Sequence, residues 1–176
     1  MLSGETAIGC DPAHVVRTMA RIAASIEADA DYWRRAELLW QHEGSHSGPA
    51  PMTGAATHAA WQAAHDLGAS AIVCSTRTGR TARAMARYRP TARLVALSPD
   101  DATVRRLALV WGVIPRAGRS SASTDEMVRH AVDAATRAGD VHPGDSIVVL
   151  AGSPESADGP TDALRLVHVD ERGLGD

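Results

Sequence analysis

The chain has 176 residues, 44% of them hydrophobic, with a formal net charge of -3 from 18 basic and 21 acidic residues. That length holds one sizeable core plus an additional segment, and a balance without basic excess or stripe argues against a nucleic-acid partner. Every basic residue is arginine, which excludes a lysine base, a Schiff-base lysine or a Walker-type lysine from these residues.

Cys10 and Cys74 lie far apart in sequence, and Cys74 ends an apolar run that reads as a buried strand. A disulfide framework is therefore not expected, and a reducing, cytoplasmic setting fits. No charged segment followed by an apolar one opens the chain, and no apolar run is long enough to span a bilayer, so neither export nor a membrane partner is expected.

In chain order, Val15, Val16, Met19, Ile22, Ala23 and Ile26 fall at helical spacing between Pro12 and Ala30, with Pro12 suited to a first turn. A second helical patch, "RRAELLWQ", reaches Gln41. The stretch that follows, "HEGSHSGPAPMTG", is polar, aperiodic and rich in glycine and proline, and residues 42–52 read as a linker.

From residue 53 the pattern alternates. "GAATHAAWQAAHDL" is a helix closed by Gly68, "SAIVCS" a buried strand, and "GRTARAMARY" a helix ending before Pro90. "RLVALS" is a strand, "DATVRRLALVW" a helix closed by Gly112, and "VIP" a short strand. "STDEMVRHAVDAATRA" is a helix followed by Gly139, and "DSIVVLAG" and "ALRLVHVD" are the last strands. Strands alternating with helices imply βαβ crossovers. The expected fold is α/β: a three-layer, mostly parallel five-stranded sheet with helices on both faces, spanning residues 53–170, with 171–176 as a tail.

Ligands of such sheets bind at the carboxyl ends of strands, and "STRTGRT", residues 75–81, occupies such a place. Gly79 permits a tight turn, the N–H groups at the helix start point outward, and the hydroxyls add donors. Arg77 and Arg80 can supply forked bonds to phosphate oxygens. The stretch matches neither a Walker loop nor the dinucleotide fingerprint, and an ordinary capped turn with solvated arginines is the plainer alternative.

"HEGSH", residues 42–46, matches the zinc-protease spacing H-E-x-x-H, which requires a helix. Gly44 and Ser45 in its middle and "SGPAP" after it disfavour one, so no metal site is expected. "STDEM", residues 123–127, has the spacing of a capping box, with Ser123 at the N-cap and Glu126 three residues on. The long connection "AGSPESADGPTDA", residues 151–163, has the length of a functional loop. Either it folds over what the first loop holds or it is a surface excursion.

In order, these segments resemble the C-terminal part of pyruvate kinase. "MLSGETAIGCDPAHVVRTMARIA" is similar to the end of that enzyme's last barrel strand and the helix after it, which makes residues 1–41 a remnant of the barrel end. "AIVCSTRTGRTARAMARYRP", "RLALVWGVIP", "STDEMV", "GDVHPGDSIVVLAG" and "LRLVHV" resemble successive elements of its C-terminal α/β domain. On this resemblance the first residues read as an internal segment of a longer ancestor.

The resemblance implies a division of labour. The family's barrel carries the catalytic lysine, the acidic metal ligands and the magnesium and potassium sites, so no cofactor and no catalytic residue is expected in this chain. The C-terminal domain carries the effector pocket and part of the subunit interface. Ser75, Thr76, Thr78, Gly79 and Thr81 fall on the loop that holds an effector phosphate, with Arg77 and Arg80 carried over less directly. Gly152, Ser153, Gly159 and Thr161 fall on the loop that closes over it. Met127 stands near where the fructose-bisphosphate form uses a basic residue, which leaves the effector open between sugar phosphates and nucleotide monophosphates. A barrel takes roughly 200 residues or more and only its end is matched here, so the chain by itself is expected to be catalytically inactive. The expected partners are a phosphorylated effector and either further copies of the chain or a barrel-domain partner. The alternative is an assembly module with a vestigial pocket.

Overall fold

The computed structural model describes residues 1–29, 32, 51–152 and 159–170. The helical patch up to Gln41, the "HEGSH" stretch, Ser153 and the tail lie outside the described residues. The chain divides into two units, Met1–His46 and Ser47–Asp176.

In the first unit, a single helical turn α1 (Gly4–Ala7) precedes α2 (Pro12–Glu27). No strand forms among residues 1–11, although the resemblance placed a strand end there. A strand draws its hydrogen bonds from neighbours, whereas this segment satisfies its backbone locally, Ala7 N–H donating to Ser3 O at 3.0 Å. Asp11 caps α2 by accepting from His14 N–H at 2.8 Å. Val16, Met19, Ile22 and Ile26 form an exposed apolar stripe along α2.

The second unit begins with α3 (Pro51–Leu67). Pro51 and Met52, expected in the linker, belong to its first turn, where proline is tolerated because its missing N–H would have no helical partner. There follow β1 (Ala71–Ser75), α4 (Arg80–Ala86), β2 (Arg93–Ser98), α5 (Asp101–Leu107), β3 (Val113–Ala117), α6 (Thr124–Arg137), β4 (Ser146–Gly152) and β5 (Thr161–His168). The helix expected to reach Trp111 stops at Leu107, and residues 108–112 are turns.

The strands form a five-stranded sheet in the order β3-β2-β1-β4-β5. All neighbours are parallel except β4 and β5. The strands alternate between two cores. Ile72, Cys74, Leu94, Ala96, Val148 and Leu150 face Ala60 and Ala64 of α3, Ala82 and Met85 of α4, and Leu107 of α5. Val73, Val95, Leu97, Ile147 and Val149 face Ala131, Val132 and Ala135 of α6. Burial on both faces explains why the strands read as unbroken apolar runs.

From β1 the chain steps outward to β2 and β3 through helices on the first face. It then returns across the second face through α6 to place β4 on the other side of β1. The winding direction therefore reverses between β1 and β4, and open sheets of this kind bind ligands in the crevice at the carboxyl ends of such a strand pair.

Burial pushes the Cys74 thiol up to about 12. Cys10 is exposed. A disulfide-exchange reagent at mildly alkaline pH is therefore expected to titrate one thiol in the native protein and both after denaturation. Two equivalents in the native state would mean that the first-face core opens readily. Among the described residues no helix is long and apolar enough to cross a membrane.

Candidate functional site: the crevice between β1 and β4

The turn after β1 is built from its own side chains. Thr76 is buried, and its Oγ1 accepts from Gly79 N–H at 3.0 Å. Thr76 N–H donates to Leu97 O at 2.9 Å, so the turn stays fastened to β2. Ser98 Oγ donates to Arg77 O at 3.3 Å and accepts from Asp100 N–H at 3.2 Å, which joins this turn to the β2–α5 connection. Asp100 caps α5, accepting from Thr103 N–H at 3.0 Å and from the Thr103 hydroxyl at 2.7 Å. That hydroxyl is the main reason the Asp100 carboxyl is held below its ordinary range.

Gly79 is the N-cap of α4 at φ 80 and provides no side-chain cap. By contrast α2, α5 and α6 are capped by Asp11, Asp100 and Ser123. α4 has seven residues, so its dipole is small and any anion there is held by first-turn N–H groups and side chains. A Cβ at Gly79 would lie 3.1 Å from Leu107 Cδ2. Together with the left-handed φ, this makes Gly79→Ala destabilising by about 2 kcal/mol, measurable as a lowered urea midpoint. An unchanged midpoint would mean that the turn relaxes freely.

The hydroxyls of the turn divide into two sets. Thr81 is buried, and its Oγ1 lies 2.6 Å from Oγ1 of Thr161, the first residue of β5. Thr161 N–H donates to Thr53 Oγ1 at 3.1 Å, and the Thr57 hydroxyl donates to Thr53 O at 2.8 Å. This buried chain fastens α4, β5 and the first turn of α3 together. Thr53 and Thr57 drew no attention in the sequence, because single threonines in an alanine-rich helix carry no pattern. Ser75, Arg77 and Thr78 instead make no side-chain hydrogen bond or ion pair among the described residues, while Arg80 is exposed and has a partner.

The second expected loop meets the first at this chain. Gly152 ends β4 and Thr161 begins β5, with Gly159 between them. A Cβ on Gly152 would stand 3.0 Å from Pro160 O, so glycine lets the two ends of the connection close on each other. Among the described residues, the structure thus joins Thr81, at the end of the first stretch, to Thr161, where the second ends.

On the second face a cavity of about 350 Å³ opens beside Ser75, lined along α6 from Met127 to Ala138. Ser123 caps α6, accepting from Glu126 N–H at 3.2 Å. The Glu126 carboxylate accepts from Ala122 N–H at 2.7 Å, one residue further back than in the simple capping box. Met127 lines the cavity, near the position where the resemblance would place a basic residue. Arg116 also lines it, and forms a forked pair with the buried Asp140 at 2.9 Å and 2.9 Å. That pair raises the arginine further above its ordinary range. Among the described residues no group of His, Cys, Asp and Glu could hold a metal ion.

Comparison with known proteins agrees with this architecture. Residues 54–167 match the family described as pyruvate kinase, alpha/beta domain. Pyruvate kinase of Clostridium acetobutylicum is 39% identical over 170 residues, covering 97% of this chain and 35% of that protein. Pyruvate kinase of Geobacillus stearothermophilus is 39% identical over 169 residues, covering 96% of this chain and 28% of that protein. The Staphylococcus aureus enzyme is 35% identical over 170 residues, covering 94% and 28%. The chain therefore spans only about a third of the length of these relatives.

Proposed function

Because this chain belongs to the pyruvate kinase family, matching its C-terminal α/β domain, we propose that it is the regulatory part of such an enzyme, binding a phosphorylated effector and contributing to subunit assembly. The effector is a sugar phosphate or a nucleotide monophosphate, held by its phosphate at Ser75–Thr81 and covered by the Gly152–Thr161 connection. The setting is glycolytic and cytoplasmic.

The observation that supports this reading is the Thr81–Thr161 bond, which ties the end of the first loop to the end of the second near the reversal of winding. Ligands of open α/β sheets collect at such crevices. A turn already fastened by Thr76 and Ser98 loses little entropy when a ligand arrives. Since Thr81 is part of the buried chain, the groups left to face a phosphate are the Thr78 hydroxyl, the Arg77 guanidinium and the first-turn N–H groups.

Charge-assisted bonds are worth roughly 1.5–3 kcal/mol each. Arg77→Gln combined with Thr78→Val is therefore expected to weaken binding of ribose 5-phosphate, glucose 6-phosphate or AMP about tenfold or more by calorimetry. Unaltered affinity, or no binding of any of them at millimolar concentration, would reduce the turn to a helix cap.

Phosphoryl transfer needs cations placed around the transferring group, and the described residues build neither a barrel nor a cluster for a metal. The purified chain is expected to show no turnover with phosphoenolpyruvate, ADP, magnesium and potassium. Activity above the buffer blank in protein free of host enzyme would overturn that expectation.

A second reading, an assembly module with a vestigial pocket, draws on the exposed stripe Val16, Met19, Ile22 and Ile26 of α2. Under that reading, size-exclusion chromatography shows association that is lost when Met19 and Ile22 become serine, and no phosphorylated ligand binds.

A further inference from the structure

The even overall charge, which argued against a nucleic-acid partner, conceals an uneven distribution. Residues 77–106 hold eight of the 18 arginines and only two of the 21 acidic residues, Asp100 and Asp101. The fold gathers this excess on the first face of the sheet, which α4 and α5 cover. Thr81, Ala82, Ala84, Met85 and Ala86 of α4 are buried, and each exposed residue from Arg80 to Arg87 is an arginine: Arg80, Arg83 and Arg87. α5 adds Arg105 and Arg106, both exposed. Arg106 is held by Asp100 at 3.5 Å. Arg83, Arg87 and Arg105 make no side-chain hydrogen bond or ion pair among the described residues.

Aromatic rings stand among these charges. The turn after α5 exposes Leu109 at 91% and Trp111 at 43%. The Arg89 guanidinium lies 4.5 Å from the centroid of the Trp111 ring, which ties the C-terminal ends of α4 and α5 together and steadies the indole. Tyr88, between Arg87 and Arg89, stacks on Trp61 of α3 at 5.8 Å, so the segment carrying these arginines is braced from below. Arg83 and Arg87 stand one helical turn apart, about 6 Å along the axis, and their helix needs no ordering when a ligand arrives.

We propose that this face of α4 and α5 binds single-stranded nucleic acid, with Arg83, Arg87 and Arg105 on backbone phosphates and Trp111 against an unstacked base. Phosphates recurring along a strand match a line of arginines, and that charge supplies most of the affinity. A base laid on an aromatic ring adds binding that tolerates any sequence. A duplex keeps its bases stacked on one another and offers Trp111 nothing. An anionic lipid surface fits less well. Leu109 and Trp111 are the only large apolar side chains exposed between β1 and α6, and Arg89 lies over the indole. The inference is independent of the phosphate-turn reading, since it uses neither Arg77 nor Thr78.

The test is fluorescence anisotropy with a labelled oligouridylate of about 20 nucleotides and the full chain at low salt, long enough to pass several phosphates across the face. Binding is expected, and it weakens as salt rises. Arg83→Gln, Arg87→Gln and Arg105→Gln together are expected to weaken it at least about tenfold. The same variant lowers the slope of log affinity against log salt by about two units, because each single-strand phosphate contact contributes about 0.7. Trp111→Leu is expected to weaken binding about fivefold or more and to leave that slope unchanged. The three arginines are exposed and unpaired among the described residues, and an unchanged thermal midpoint confirms that the variants are folded. No binding, an unaltered slope in the triple variant, or equal affinity for a duplex of the same length would overturn the proposal. So would tighter binding to phosphatidylglycerol vesicles or to polyglutamate than to the oligonucleotide. Loss of binding in Arg77→Gln with Thr78→Val, but not in the triple variant, would place the strand at the turn after β1 and equally overturn it.

Discussion

Leu107→Ala is expected to lower the unfolding free energy of the Ser47–Asp176 unit by about 3 kcal/mol. Leu107 is fully buried on the first face of the sheet, and truncating such a leucine loses transfer free energy and leaves a cavity. Leu107 also stands against the turn, since a Cβ on Gly79 would lie 3.1 Å from its Cδ2 and 3.3 Å from its Cγ. The two positions are therefore coupled. In the Leu107→Ala background the steric part of the Gly79→Ala penalty disappears and the part due to the left-handed backbone remains. Urea unfolding of the two single variants and the double variant, followed by circular dichroism, measures this directly. Strict additivity would show that Leu107 does not support the turn, and a loss below about 1 kcal/mol would contradict the burial itself.

Arg116→Met is expected to destabilise the same unit by about 2–3 kcal/mol. The Asp140 side chain is 7% exposed and Arg116 is its forked partner. Removing the guanidinium leaves a carboxylate out of water and unpaired, and breaking a buried pair from one side is strongly destabilising. Arg116 is itself 40% exposed, which places the effect toward the lower end of that range. Replacing both partners, Arg116→Met with Asp140→Leu, is expected to restore most of the stability, because no lone charge remains. Unfolding midpoints of the three variants decide it. A harmless Arg116→Met would mean that water reaches Asp140.

The turn after β1 shows how far the residues could be read unaided. Ser75, with its helix start and Gly79, could be placed at a strand end because glycine is the residue that takes a left-handed cap, and an apolar run before it marks a buried strand. The same stretch does not say which hydroxyls are free. Thr76, Thr78 and Thr81 are equivalent as letters. Thr76 fastens the turn, Thr81 meets a threonine from β5, and of the three only Thr78 keeps its hydroxyl without a partner among the described residues. Their division depends on Thr161 and Thr53, eighty and twenty-eight positions away in sequence, which the sheet brings together.

The helix boundaries show the same limit. Pro51 could end a linker or open a helix, and the alanines after it decide for the helix only once they have a sheet to pack on. The helix that stops at Leu107 carries an apolar pattern for four residues more. What ends it is the requirement that the chain turn back to pair Val113 with Leu94.

What the sequence determined by itself was the alternation of apolar strands and amphipathic helices, and with it a parallel sheet covered on both faces. Local periodicity and capping are encoded within a few residues of where they act. The order β3-β2-β1-β4-β5, the reversal of winding between β1 and β4, and the cavity that joins Ser75 to Met127 belong to the tertiary structure. They arise from hydrogen bonds and packing between segments far apart in the chain, where no short-range pattern reaches.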